Sequence, residues 1–159
     1  MQLKSSQRGS FIIEALVSFV VFTVGILGLI MLQGTAVSTT IDTRYRIEAN
    51  QFASRIMSSI QGSAVRTSDA AFQASVNAFA HNATGDQCAF TGTPSANATV
   101  TAWLTALQSD ATATRLPNAD GQIRVTWGAG TANQVRVVIC WQQPGFPVMR
   151  RHVVMGSVS

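Results

Sequence analysis

Proline is missing from everything before Pro94, and only 11% of the residues carry a charge. The first absence removes the strongest helix breaker from more than half of the chain. The second, in a chain that is 47% hydrophobic, leans towards attachment to a membrane. Histidine is scarce as well. His81 and His152 are the only two, and no set of His, Cys, Asp and Glu has metal-ligand spacing. Neither a Gly-x-Ser-x-Gly elbow nor a phosphate-cradling glycine loop occurs. No cofactor is expected, and nothing argues for an enzyme. His81, Asp86 and Cys88 lie close enough for a Cys-His nucleophile to be imagined, but a disulfide explains Cys88 with fewer assumptions.

What is present begins with one long apolar run, Phe11 to Leu32, holding a single carboxylate, Glu14, behind a short basic segment that ends in Arg8-Gly9. An acidic residue inside hydrocarbon costs roughly 2.5–3.5 kcal/mol at mid-membrane and less near a helix end, so a partner is expected. The run is too long for a secretory signal core, and no Ala-x-Ala site follows it. Ala15 to Leu32 alone would span about 27 Å, close to a bilayer core. Basic residues precede the run and none follows until Arg44. The short N-terminus should therefore stay cytoplasmic while the rest crosses.

At 159 residues the chain suits one domain plus an N-terminal segment. The formal charge is +4; of eleven Lys and Arg, Lys4 and Arg8 sit in the leader, leaving nine against seven acids. Nucleic acid is therefore a weak expectation. Beyond Gln33 the residues Val37, Ile41, Tyr45, Ala49, Phe52, Ala53, Ile56, Met57 and Ile60 form an amphipathic stripe. One helix from Ser10 to Ile60 is expected, with Gly62 as its stop and an Asp42–Arg46 pair at i,i+4 spacing. Arg44 and Glu48 share that spacing in the less favourable order.

The remainder reads as an α+β head. Ser68-Asp69 can cap a helix through His81 with Phe72, Val76 and Phe79 on one side. A second helix runs from about Ser95 to Ser109, grouping Val100, Trp103, Leu104 and Leu107. Ile123, Val125 and Trp127, then Val135, Val137, Ile139 and Trp141, alternate as strands. A loop at Gly128 to Asn133 joins them, and a last strand lies near Arg150 to Met155. The sum is a small antiparallel sheet, one face of which covers the amphipathic helix, with the three tryptophans in the core. Cys88 and Cys140, behind an export segment, point to a disulfide worth on the order of 4 kcal/mol, with two buried thiols as the alternative. Arg124, Arg136 and either Arg150 or His152 could line one sheet face and suit DNA capture, or be simply solvated. Asn82-Ala83-Thr84 and Asn97-Ala98-Thr99 match the N-glycosylation pattern, which recurs by chance in such a chain.

Lys-Ser-Ser-Gln-Arg-Gly followed by Ser-Phe-Ile-Ile-Glu-Ala-Leu-Val resembles the class III signal of type IV pilins and type II secretion pseudopilins. There a basic leader ends in glycine and a glutamate holds the fifth mature position, as Glu14 would after a cut between Gly9 and Ser10. The Gly25 to Leu29 run, Gln33, and Glu48 to Met57 are similar to the minor pilin PilV group. The match covers roughly residues 1–60. One position departs: Ser10 stands where the family usually has phenylalanine.

The resemblance implies a type IV pilin-like fold. It divides the chain into a leader (1–9), a transmembrane half-helix (10–33), an amphipathic half-helix (34–62) and a periplasmic α+β head (63–159). It further implies cleavage by a prepilin peptidase, N-methylation at Ser10, and pairing of Glu14 with a neighbouring subunit. The expected place is the inner membrane and then the pilus, as a structural part of a tip or priming complex. The expected partners are other minor pilins, the major pilin and the assembly platform. The alternatives are a type II secretion minor pseudopilin, a DNA-binding minor pilin and a plain signal-anchored periplasmic protein.

Overall fold

A computed structural model describes residues 8–109, 116–128 and 133–158, with the side chains of residues 8–10 and 34–38 outside the described set. Most of the expected leader, the side chain of Val37 in the stripe and most of the Gly128–Asn133 loop thus lie outside the described residues. The chain is α+β. It divides into two compact units, Met1–Ile41 and Asp42–Ser159.

Helix α1 is Arg8–Ser63, 56 residues, as an uninterrupted stretch without proline allows. Within the first unit, Phe11–Gln33 has a mean hydropathy of 2.7 and none of it is buried. Phe11, Leu16, Val21, Leu27 and Leu32 are each at least 60% exposed and Val17 is 56% exposed, so apolar side chains point out on every side. A helix apolar all round with nothing packed on it is matched to lipid, not to water. Its 23 residues extend about 35 Å at the helical rise, enough to cross a bilayer core.

The second unit opens with the rest of α1 and continues with α2 (Asp69–Asn77), β1 (Thr84–Asp86), β2 (Ala89–Thr91), α3 (Ala98–Gln108), β3 (Asp120–Thr126), β4 (Gln134–Gln142) and β5 (Met149–Ser157). Strands β3, β4 and β5 form an antiparallel sheet in that order. Ile123 stands opposite Val137, and Val137 opposite Val154. Ala49, Phe52, Ala53, Ile56, Met57 and Ile60 of α1 share one buried cluster with Val135, Val137, Ile139 and Trp141. The stripe and the alternating strands therefore meet as expected, and burial of these side chains supplies the main stabilising term.

Close backbone approach decides how helices seat on the sheet. A Cβ on Gly121 would stand 2.5 Å from Trp103 Cη2, so α3 can lie against β3 only because that position has no side chain. Trp103 is then fixed by its Nε1–H, which donates to Phe52 O of α1 at 3.0 Å.

Several boundaries differ from expectation. Helix α2 starts under its Ser68 cap, whose side chain accepts from Ala71 N–H, but stops at Asn77, short of His81. The reason is that His81 exchanges two backbone hydrogen bonds of 3.0 Å with Ile123 and is drawn to the sheet edge. Helix α3 starts three residues after Ser95, because Asn97 caps it through Thr99 N–H. Gly62 does not end α1, which runs one residue further. Trp127 lies just beyond β3, half-buried, edge-on to Phe72, with its indole N–H donating to Asn77 Oδ1. Asp42 and Arg46 pair at 2.8 Å; no ion pair joins Arg44 to Glu48 among the described residues.

Candidate functional site

Two features carry the polar chemistry. The first is Glu14, in the first turns of α1 and exposed. No hydrogen bond or ion pair ties its carboxylate to another described residue. Gly9 and Ser10 fall within the first turn of the same helix; whether the chain is cut between them, and what Ser10 carries, lies outside the described side chains.

The second is a clasp on the sheet face turned away from α1. Strands β1 and β2 pair with Asp86 opposite Ala89, which leaves Gln87 and Cys88 as a two-residue turn. Both have positive φ, 52° and 70°, as the primed hairpin turn requires. Neither is glycine, so the turn is strained by of order 1 kcal/mol per residue and needs outside support. Gly85, φ 78°, precedes it; a Cβ there would collide with Ala89 O.

The support comes from the sheet. Cys88 is bonded to Cys140 of β4 across 52 residues, which decides between the disulfide and the two thiols and leaves no thiol for a Cys-His pair. Gln122, buried, donates through Nε2 to Asn82 O and Thr84 O, each at 2.8 Å. Arg124 donates from Nε to Ala83 O and from Nη2 to Gly85 O, each at 2.8 Å. Asp86 Oδ1 lies 3.6 Å from Arg151 Nη1 and 4.0 Å from Arg136 Nη2.

The basic face is thus Arg124, Arg136 and Arg151. The third member is neither Arg150 nor His152: the register puts Arg151 beside Cys140 and Arg150 beside Trp141, so both Arg150 and His152 fall on the opposite, helix-facing side. Arg124 is engaged by two carbonyls, while Arg136 and Arg151 stand in ionic contact with the exposed Asp86, so all three take part in the fastening. Gln122 and Arg151 were not singled out by sequence reasoning, and Asp86 was weighed only beside His81 and Cys88 for a Cys-His nucleophile. The only local cue was a Gly-Asp-Gln-Cys tetrapeptide (Gly85 to Cys88), and turn chemistry does not announce two left-handed residues that lack glycine.

On the helix-facing side Asp42 accepts from Arg46 Nε at 2.8 Å and meets Arg150 Nε at 3.8 Å, an ionic contact too long for a hydrogen bond. His152 sits by this cluster with its pKa lowered, by burial first and by the Arg46 charge second. His81 is lowered too, by burial, against the pull of Asp120; its Nδ1 accepts from Ser95 N–H at 3.0 Å. Asn97, of the second glycosylation-like triplet, spends its side chain on the α3 cap.

Comparison with protein families, with characterised proteins and with solved structures gave no match for this chain. What the fold and site define by themselves is an α+β protein with an N-terminal helix long and apolar enough to span a membrane.

Proposed function

We propose that this chain is a structural subunit and not a catalyst: a minor pilin of a type IV pilus, similar to the PilV group, held in the inner membrane until assembly. The observation that carries this reading is a membrane-length apolar helix with one carboxylate, Glu14, placed five residues after a basic leader that ends in Gly9. Cutting after Gly9 frees an ammonium on Ser10 one helical turn from Glu14. In low dielectric a carboxylate without a partner is costly, and an opposite charge on a neighbouring subunit offsets that cost while setting the register between helices. An α+β head with its one disulfide suits an oxidising compartment and a part that packs against others in a filament.

Two experiments test the reading. Mass spectrometry of the membrane-bound protein should find a mature chain that begins at Ser10; a chain that keeps residues 1–9 makes it an ordinary anchored protein. Glu14→Ala should leave processing intact yet remove the protein from sheared surface filaments. Normal incorporation of that variant would rule out the subunit pair.

A further inference from the structure

Among the exposed large apolar side chains of the second unit, Phe146, Val148 and Met149 fall together in the connection between β4 and β5. Residues 142–149 carry no charge, and Pro144 and Pro147 are exposed as well. The connection is built in advance. Phe146 N–H donates to Gln143 O at 3.0 Å, with Pro144 and Gly145 at the two central positions and Gly145 at φ 82°, the pattern of a type II turn. Gln143 beneath it is buried, and Gln142 Nε2 donates to Phe146 O at 3.4 Å. A fixed turn that holds large apolar groups in the open marks a contact surface, and its ordering cost is already met.

The direction of the turn follows from packing inside the second unit. Arg150 meets Asp42 at 3.8 Å, while a Cβ on Gly156 would stand 2.9 Å from Met57 Sδ. Strand β5 therefore runs in the same direction as α1: Arg150 to Gly156 covers about 20 Å and Asp42 to Met57 about 22 Å at their own rises. The residues before Met149 accordingly project past the Asp42 end, where the chain arrives from its apolar run. Gln33 closes that run nine residues earlier in the same helix, about 14 Å of rise, and a headgroup layer adds about 5–7 Å beyond the hydrocarbon. Arg150 and Arg151, both partly exposed, follow the apolar turn directly, the order in which an apolar tip and cations meet a lipid surface. We propose that the 144–149 turn is an interfacial anchor, with Phe146 and Val148 seated at the boundary between lipid headgroups and acyl chains. Lipid is the occupant that the chain itself supplies, since the same polypeptide enters it nine residues before Asp42. The inference rests on the membrane span and needs neither a cut leader nor a filament.

The test reconstitutes the full chain in vesicles of equal parts phosphatidylethanolamine and phosphatidylglycerol. A small environment-sensitive fluorescent residue is placed at Val148 or, as a control, at exposed Gln73 of α2, a helix whose Phe72 packs on Trp127 at the other end of the sheet. Lipids brominated close to the headgroup should quench the Val148 probe severalfold more than the Gln73 probe, equally at all protein-to-lipid ratios. Phe146→Asp should bring the Val148 probe down to the control, and Phe146→Leu should leave it quenched; circular dichroism and an unchanged melting temperature certify that both fold. Quenching no stronger than at Gln73, a signal that grows with protein density as contact with a second copy would, or indifference to Phe146→Asp overturns the proposal. A chain that floats with the vesicles while its turn stays unquenched loses this inference and keeps the span, whereas a chain that does not float loses both.

Discussion

Gly121 and Gly85 are the positions where a single methyl group has the most to disturb. At Gly121 the added Cβ meets the indole of Trp103, a rigid ring already tied to α1 by its N–H. Gly121→Ala should cost about 1–3 kcal/mol, the usual range for an overpacked core, and should shift tryptophan emission; denaturant titration of the purified chain in detergent checks both. Gly85→Ala acts differently. The new Cβ strikes backbone, Ala89 O, and the φ of 78° disfavours any side chain, so the hairpin turn should loosen while the helices keep their signal. Faster proteolytic nicking near Gln87, with little change in melting temperature, is the expected result.

The two histidines define a pH response at the same scale. Both have folded pKa values below the ordinary 6.5, so the unfolded chain binds protons more readily than the folded one. Their contribution is complete above pH 6.5 and is lost as pH falls from there through the folded values. Melting temperature should therefore drop on acidification below about 6.5. His81→Gln with His152→Gln together should flatten that slope, even if both variants are less stable at pH 7.

Among the elements, the β1–β2 hairpin depends most on what lies outside it. It has six paired residues and a strained turn, and such a ribbon alone is marginal in water. The sheet holds it by one covalent bond and by the hydrogen bonds from Gln122 and Arg124. Cys88→Ser with Cys140→Ser should lower stability by about 4 kcal/mol on the loop-closure argument for 52 residues. A loss below about 1 kcal/mol would mean that Gln122 and Arg124 hold the strap on their own, at the net value of a few hydrogen bonds. Sequence reasoning foresaw the disulfide but not the hairpin. Three-residue strands are too short for alternation to register, and the bonds that fix them come from residues about forty positions away. Helices α1, α2 and α3 were legible because their apolar spacing and the Ser68 cap are local; the start of α3 was set two residues before its Asn97 cap, and the misplaced end of α2 traces to His81 bonding to a strand far along the chain.

For the whole molecule, the arginine face bears on which partners are plausible. Arg124 is held by carbonyls and Arg136 and Arg151 lie in ionic contact with Asp86, so phosphates would compete with the clasp for these side chains. The full chain should show no salt-dependent retardation of duplex DNA at low ionic strength; binding that weakens steeply with salt would return the DNA-capture reading.

The membrane-length run, the isolated carboxylate within it, the basic N-terminal segment, the amphipathic continuation of α1 and the alternating strands were all decided by the order of residues. Each rests on interactions between near neighbours or on transfer into lipid, and those need no knowledge of the fold. Which arginine joins Arg124 and Arg136, how the strained turn at Gln87 and Cys88 is held, and which way the turn at Pro144 and Gly145 points depend on strand register and on helices meeting across the core. Only the tertiary structure could decide these, because the atoms involved are distant in the chain and are brought together by burial of side chains elsewhere.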